Sequence, residues 1–271
     1  MAGVAIGALA ILVAVAVKPT APKSPTAALR VECEKGANAA CRQLGLALLV
    51  GLEGPRDARG ASEQFERACN ADDSRACFEL AKLGESGVAK ADGARVLGLL
   101  ERACQGSEPA ACADLGKRHD KGRGVAKDPA KAVQLWQRGC DQGGAEACGA
   151  LAMAKFIGTV GEANVEEAAR LFQKACDGGD AEGCHGFGRM LLGGRGVPKD
   201  EARAVGSFER ACDGGSVMGC RALGLLYQEG QSGVGADPAK ARQHFERGCA
   251  LGDQLSCERL ERPSPPPRTR E

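Results

Sequence analysis

The sequence predicts an all-α protein, a right-handed α/α solenoid of stacked helix pairs with disulfide-clipped corners. Its 14 cysteines fall in seven pairs, each spaced by eight, and successive pairs recur every 35 to 37 residues. A fixed period of this size marks helical repeats rather than one globular core. Large apolar residues keep the same beat. Four residues before the first cysteine of each pair, from the second pair on, stand Phe65, Leu100, Trp136, Phe172, Phe208 and Phe245. Three residues after the second cysteine stand Leu44, Leu80, Leu115, Leu151, Phe187, Leu223 and Leu260. Both columns are expected to form a continuous core between neighbouring helices, not an aromatic ligand site.

The chain opens on an uncharged run, residues 1–17 (MAGVAIGALAILVAVAV). It is short for a bilayer span and has the length of a signal-peptide core. Ala14 and Ala16 form an A-x-A pattern, which places cleavage after Ala16. No basic residue precedes the run, so an uncleaved N-terminal anchor is the alternative. No cysteine follows it closely, which disfavours a lipoprotein anchor. Residues 18–26 are proline-rich and polar, an expected disordered linker, and 263–271 form a similar tail. The solenoid is expected over 27–262, with repeats at about 41–76, 77–111, 112–147, 148–183, 184–219 and 220–256. A part-unit closes each end, TAALRVECEKG and DQLSCERLERP.

Polar punctuation sets the helices. Asp57, Asp92, Asp128, Asn164, Asp200 and Asp237 recur just before helix-like runs, where a short side chain accepts bonds from free N–H groups of the first turn. Pro129 and Pro238 follow two of these caps, at a position that needs no N–H. Glycine turns precede them: GRGVAKD from 122, GRGVPKD from 194 and GVGAD from 233. Each unit therefore reads as helix A from roughly the second cysteine, a turn, then helix B ending near the next first cysteine.

Two cysteines eight apart on one helix are separated by about 12 Å of rise. A disulfide needs Cα atoms roughly 4.4 to 6.8 Å apart, so a corner must lie between them. Gly36, Gly143, Gly179, Gly215 and Gly252, three residues after a first cysteine, suit a left-handed C-cap. Asp73, Asp180, Ser216 and Asp253, one residue later, suit the N-cap of the next helix. The expected bonds are Cys33–Cys41, Cys69–Cys77, Cys104–Cys112, Cys140–Cys148, Cys176–Cys184, Cys212–Cys220 and Cys249–Cys257. Clustered C-x₂₋₄-C spacing for zinc is absent, as is a redox C-x-x-C. Buried reduced thiols are the remaining rival.

The stretch CHGFGRMLLGGRGVPKDEARAVGSFERACDGG (184–215) resembles the Sel-one-like repeats, relatives of the tetratricopeptide repeats. The cysteine interval of eight resembles their cysteine-rich secreted branch, typified by the Helicobacter cysteine-rich proteins. The resemblance covers about 33–262. The A–B turns GLEGPRD, GESGVAKAD and GTVGEAN depart from the pattern, which bears on turn shape there and not on helix pairing. The resemblance implies a non-enzymatic scaffold or adaptor that binds protein on its concave face. It also offers an alternative, weak β-lactam binding or hydrolysis. The sequence gives that chemistry little support: it has no S-x-x-K, S-D-N, K-T-G or G-x-S-x-G.

The formal charge is +1, from 36 bases and 35 acids, which argues against bulk attraction to nucleic acid or an anionic membrane. The expected partner is a protein or peptide, with membrane contact only through an uncleaved 1–17. An extracytoplasmic location, periplasmic or secreted, follows from the paired cysteines. No cofactor and no metal site is expected. His119, in KRHDKG, reads as an exposed helix end; His185 follows Cys184 and lies near the expected groove; His244 stands apart. Charged phrases such as FERAC and FQKAC read as a solvated helix face. By analogy with related solenoids, candidate groove-lining residues are Lys82, Lys117, Met153, Arg189 and Leu225, five residues after each second cysteine. This column varies from charged to apolar, unlike the core columns.

Overall fold

A computed structural model describes residues 24–89, 92–231 and 233–261. The expected signal segment 1–17 and the tail 263–271 lie outside the described residues. Fourteen helices and no strand occur among those described: α1 (Pro25–Glu34), α2 (Asn38–Val50), α3 (Ala58–Asn70), α4 (Ser74–Glu85), α5 (Gly93–Gln105), α6 (Pro109–Lys121), α7 (Pro129–Asp141), α8 (Ala145–Ile157), α9 (Val165–Asp177), α10 (Ala181–Gly193), α11 (Glu201–Asp213), α12 (Val217–Glu229), α13 (Pro238–Ala250) and α14 (Gln254–Glu261). Even-numbered α2 to α12 are the A helices, and odd-numbered α3 to α13 the B helices. The end helices α1 and α14 are the part-units.

Helix α1 starts at Pro25, so the last two residues assigned to the linker are helical. Ser24 caps it by accepting from the Ala27 N–H, and Pro25 sits in the first turn where its missing N–H costs nothing. Every B helix opens on its expected cap. Asp57, Asp92, Asp128, Asn164, Asp200 and Asp237 each accept a backbone N–H of the first turn. Glycine in the left-handed conformation ends five A helices, at Gly51, Gly122, Gly158, Gly194 and Gly230.

All seven expected disulfides are present, with Cα–Cα distances of 4.2 to 4.7 Å. The A helices begin three residues earlier than the second cysteine, and at three of them the expected polar corner residue caps the first turn. Asp73, Asp180 and Ser216 accept from the N–H groups of Ala76, Gly183 and Gly219. Each bond thus joins the last turn of one helix to the first turn of the next. The corner residue three past the first cysteine has positive φ in all seven cases. Five are glycine; the other two, Asp72 at 62° and Ser107 at 71°, are the only non-glycine residues with positive φ among those described.

Small residues let the corners close. The residues just before the two cysteines of a pair face one another: Ala68 and Ala76, Ala103 and Ala111, Gly139 and Ala147, Ala175 and Gly183, Ala211 and Gly219. A Cβ added at Gly183 would lie 2.5 Å from the Ala175 Cβ. The expected apolar columns are buried from Phe65 to Phe245 and from Leu44 to Leu223; Leu260 packs at the edge.

The FERAC-type phrases do more than face solvent. The base two residues before a first cysteine reaches back one repeat. Arg102 donates to the Cys69 carbonyl at 2.7 Å, Lys174 to Cys140 at 2.9 Å and Arg210 to Cys176 at 2.5 Å. At one corner Gln142 makes the same bond, to Cys104. Each of these carbonyls ends a helix and already accepts the N–H three residues on, so the side chain from the next repeat adds a second bond to the corner.

Each A helix packs on the B helix that follows it and each B helix on the next A helix. Successive A helices also touch, α6 with α8 and α8 with α10, more closely than successive B helices do. The A helices therefore line the inner curve.

Candidate functional site

The inner curve carries one pronounced pocket of about 520 Å³, formed by α6, α8 and α10. Its apolar wall includes Met153, Phe156, Phe172 and Met190; Lys117, Glu146, Asp180, Glu182, His185 and Arg189 supply polar groups. Three of the five candidate groove residues, Lys117, Met153 and Arg189, meet here. The structure does not bring Lys82 or Leu225 to it. Lys82 lies over the Phe78 ring at 5.5 Å on α4, and Leu225 packs partly buried against the core of α12.

Two glycines let pocket-lining side chains pack close, the Asp180 carboxylate over Gly149 and the Phe172 ring over Gly186. Gly149 follows Cys148, where α2 and α12 carry Arg42 and Arg221. Gly186 stands two residues after Cys184, and the Phe172 ring lies on it; a Cβ there would approach the ring to 2.5 Å. The aromatic floor thus comes from α9 crossing to the next A helix. Sequence columns taken one and two residues after the second cysteine would have marked both glycines; only the column at five was singled out.

Burial raises the Asp180 carboxyl above the usual Asp range, and the nearby Glu146 and Glu182 push the same way, against the Gly183 N–H bond. Burial lowers the His185 pKa, with Arg189 and Arg221 adding to the effect and Glu182 opposing it. The Lys117 ammonium pairs with Glu146. The pocket is anionic at the N-terminal end of α10 and cationic toward its C-terminal end, where Arg189 and Arg195 stand.

The pocket lining contains no hydroxyl or thiol nucleophile among the described residues. Nor does any group of three His, Cys, Asp or Glu side chains converge as a metal site among them. His119 is buried, contrary to the exposed helix end expected for it. It lies four residues after Leu115 and so shares the core face of α6. His244 stacks on Tyr227 with ring centroids 5.6 Å apart, away from the pocket. No described helix is long and apolar enough to cross a membrane.

Among curated proteins no sequence matches the chain. A Sel1 repeat protein from Oxalobacter formigenes shares the fold with a TM-score of 0.71 and 20% identity, over 83% of this chain and 88% of its own. A protective antigen of uropathogenic Escherichia coli with an SLR fold has a TM-score of 0.59 and 21% identity; 88% of this chain aligns, spanning 60% of the antigen. Helicobacter pylori cysteine rich protein B is 27% identical over 49% of this chain and 96% of its own, with a TM-score of 0.41. The Sel1 repeat profile matches residues 38–73, 109–144, 145–180, 181–216 and 217–253, more than half of the chain. The interval 74–108 falls outside these matches but keeps α4 packed on α5. The chain belongs to the Sel1 repeat family.

Proposed function

We propose that the protein is a non-enzymatic interaction scaffold that works outside the cytoplasm and takes a protein or peptide on the inner face of its A helices. The observation that carries this is the pocket itself: apolar walls with a few convergent charges, on a solenoid surface that adjoining repeats extend. Sel1 repeats typically serve protein–protein interaction, and the E. coli antigen shares only the fold. Support for the location comes from the seven disulfides and the absence of any free cysteine among the described residues, since such bonds persist in oxidising compartments. The segment 1–17 would supply export by cleavage after Ala16 or, uncleaved, a membrane anchor.

A photo-crosslinking side chain at Met153 on the inner face, compared with one at exposed Gln137 on α7, tests the scaffold in the native host. Adducts with a defined protein from position 153 and not from 137 are expected. Equal labelling from both overturns the docking face. Hydrolysis of a chromogenic β-lactam that disappears on replacing one serine overturns the non-enzymatic assignment. N-terminal sequencing tests the location: a start near Val17 is expected, and an intact Met1 in the cytoplasm overturns it.

A further inference from the structure

Three A helices and the closing helix α14 have an acidic residue at the N-cap position: Asp73, Glu108, Asp180 and Asp253. Three of these carboxylates pair with an arginine of the preceding A helix. Arg42 meets Asp73 at 3.1 Å, Arg75 meets Glu108 at 3.8 Å and Arg221 meets Asp253 at 2.9 Å. Asp180 is the exception. The position that holds Arg42 or Arg221 in other units holds Gly149 here, and no Lys or Arg among the described residues forms an ion pair with Asp180. Its Oδ2 accepts the Gly183 N–H at 2.9 Å, and the same oxygen lies over Gly149. Where the equivalent carboxylates meet a guanidinium, Asp180 leans onto Gly149 at the wall of the pocket.

We infer that the pocket over Gly149 receives an arginine side chain of a protein partner, whose guanidinium pairs with Asp180 as Arg42 pairs with Asp73 and Arg221 with Asp253. This rests on the scaffold reading and names the chemistry of its partner. A planar fork suits the site because Asp180 already spends one acceptor on the cap and keeps lone pairs for in-plane donors. Met153, Phe156 and the Phe172 ring line the space for the aliphatic stem. Lys117 does not fill the role, since its ammonium is engaged with Glu146. Burial and the neighbouring Glu146 and Glu182 disfavour the Asp180 carboxylate more than Lys117 offsets, so a directly paired cation from outside gains by entering.

The test uses the oxidised full chain and two probes, acetyl-Gly-Arg-Gly-amide and its citrulline counterpart, which keeps shape and loses charge. Backbone amide shifts of Gly183 and Gly186 are followed by NMR. Saturable shifts with the arginine peptide, and at least tenfold weaker binding of the citrulline peptide, are expected. Gly149→Arg, whose Cβ displaces the Asp180 Oδ2 and whose own guanidinium then competes for that carboxylate, should abolish binding. Asp180→Asn, which keeps a cap acceptor, should weaken binding at least tenfold and guards against a Gly149→Arg variant that does not fold. Absence of saturable shifts, equal binding of citrulline, or unchanged binding in Asp180→Asn overturns the inference. Crosslinking of a partner at Met153 that survives in Gly149→Arg rejects the arginine subsite and keeps the scaffold. Arginine-peptide binding without any partner adduct does the reverse.

Discussion

Trp136 packs its indole directly on Gly116, and its Nε1 donates to the Ala113 carbonyl at 3.2 Å. The relationship recurs wherever a helix pair carries glycine four residues after the second cysteine. Phe65 lies on Gly45, Phe208 on Gly188 and Phe245 on Gly224; a Cβ would approach these rings to 2.6, 2.7 and 2.5 Å. Where that position is Ala81 the facing residue is the smaller Leu100. Where it is Ala152, the Phe172 ring lies on Gly186 of the next helix instead.

Ring and glycine are therefore matched in size. Gly116→Ala should destabilise the protein by about 1 to 3 kcal/mol, the usual cost of overpacking a filled core. Leu100→Phe should cost a similar amount alone and be rescued by Ala81→Gly. Chemical denaturation of the single and double variants checks the match. A double variant no more stable than Leu100→Phe would rule it out.

The fold was legible because its constraints repeat. The B-helix caps and core columns appear six or seven times and the corner glycine five times, so a single sequence averages its own noise. The corner caps Asp73, Asp180 and Ser216 mark the A-helix starts in the sequence, three residues ahead of the more conspicuous cysteine. The pocket was half legible. Lys117, Met153 and Arg189 lie in a visibly varying column, but the close packing of Asp180 and Phe172 beside them rests on Gly149 and Gly186. A missing side chain leaves no mark until its column is compared across repeats. His119 was misplaced because its polar neighbours in KRHDKG mask a helical register that points it inward.

Positive φ at the corners yields a second prediction. Asp72 and Ser107 occupy the conformation that glycine holds at the other five corners. A side chain in the left-handed region costs about 1 to 2 kcal/mol, less for Asp, and glycine returns part of the gain through the entropy of the unfolded chain. Asp72→Gly and Ser107→Gly should each stabilise by about 0.5 kcal/mol, additively, since they lie in different corners. Thermal unfolding measures this, and a lowered midpoint for both would show that the corner geometry is set by something other than φ.

Removing one clip should leave the others intact. The Cys140–Cys148 bond closes a loop within one corner and shares no residue with its neighbours. Cys140→Ala with Cys148→Ala should lower stability by about 1 to 3 kcal/mol, the range for a short loop. Peptide mapping under non-reducing conditions should still find the other six bonds. Peptides linked between different corners would contradict independent closure.

Acidification gives the last prediction, from two histidines whose charged forms the fold disfavours. Burial lowers the pKa of His185, with Arg189 and Arg221 adding to the shift against Glu182. Burial also lowers that of His244, where Arg247 and Lys240 add to it against Glu209 and Asp213. In the unfolded chain both titrate near the ordinary 6.5. A depressed folded value means that the unfolded state binds more protons as pH falls below 6.5, so stability is full above that pH and declines through the folded values. Asp180 works in the opposite sense. Its raised carboxyl takes up a proton more readily when folded, which lends stability only as pH drops through that raised value. Melting temperature should therefore fall on acidification from pH 7 to 5.5. The double variant His185→Gln, His244→Gln should flatten that slope, and Asp180→Asn, which removes the opposing contribution, should leave it at least as steep. An unchanged slope in the double histidine variant would assign the acid sensitivity to other groups.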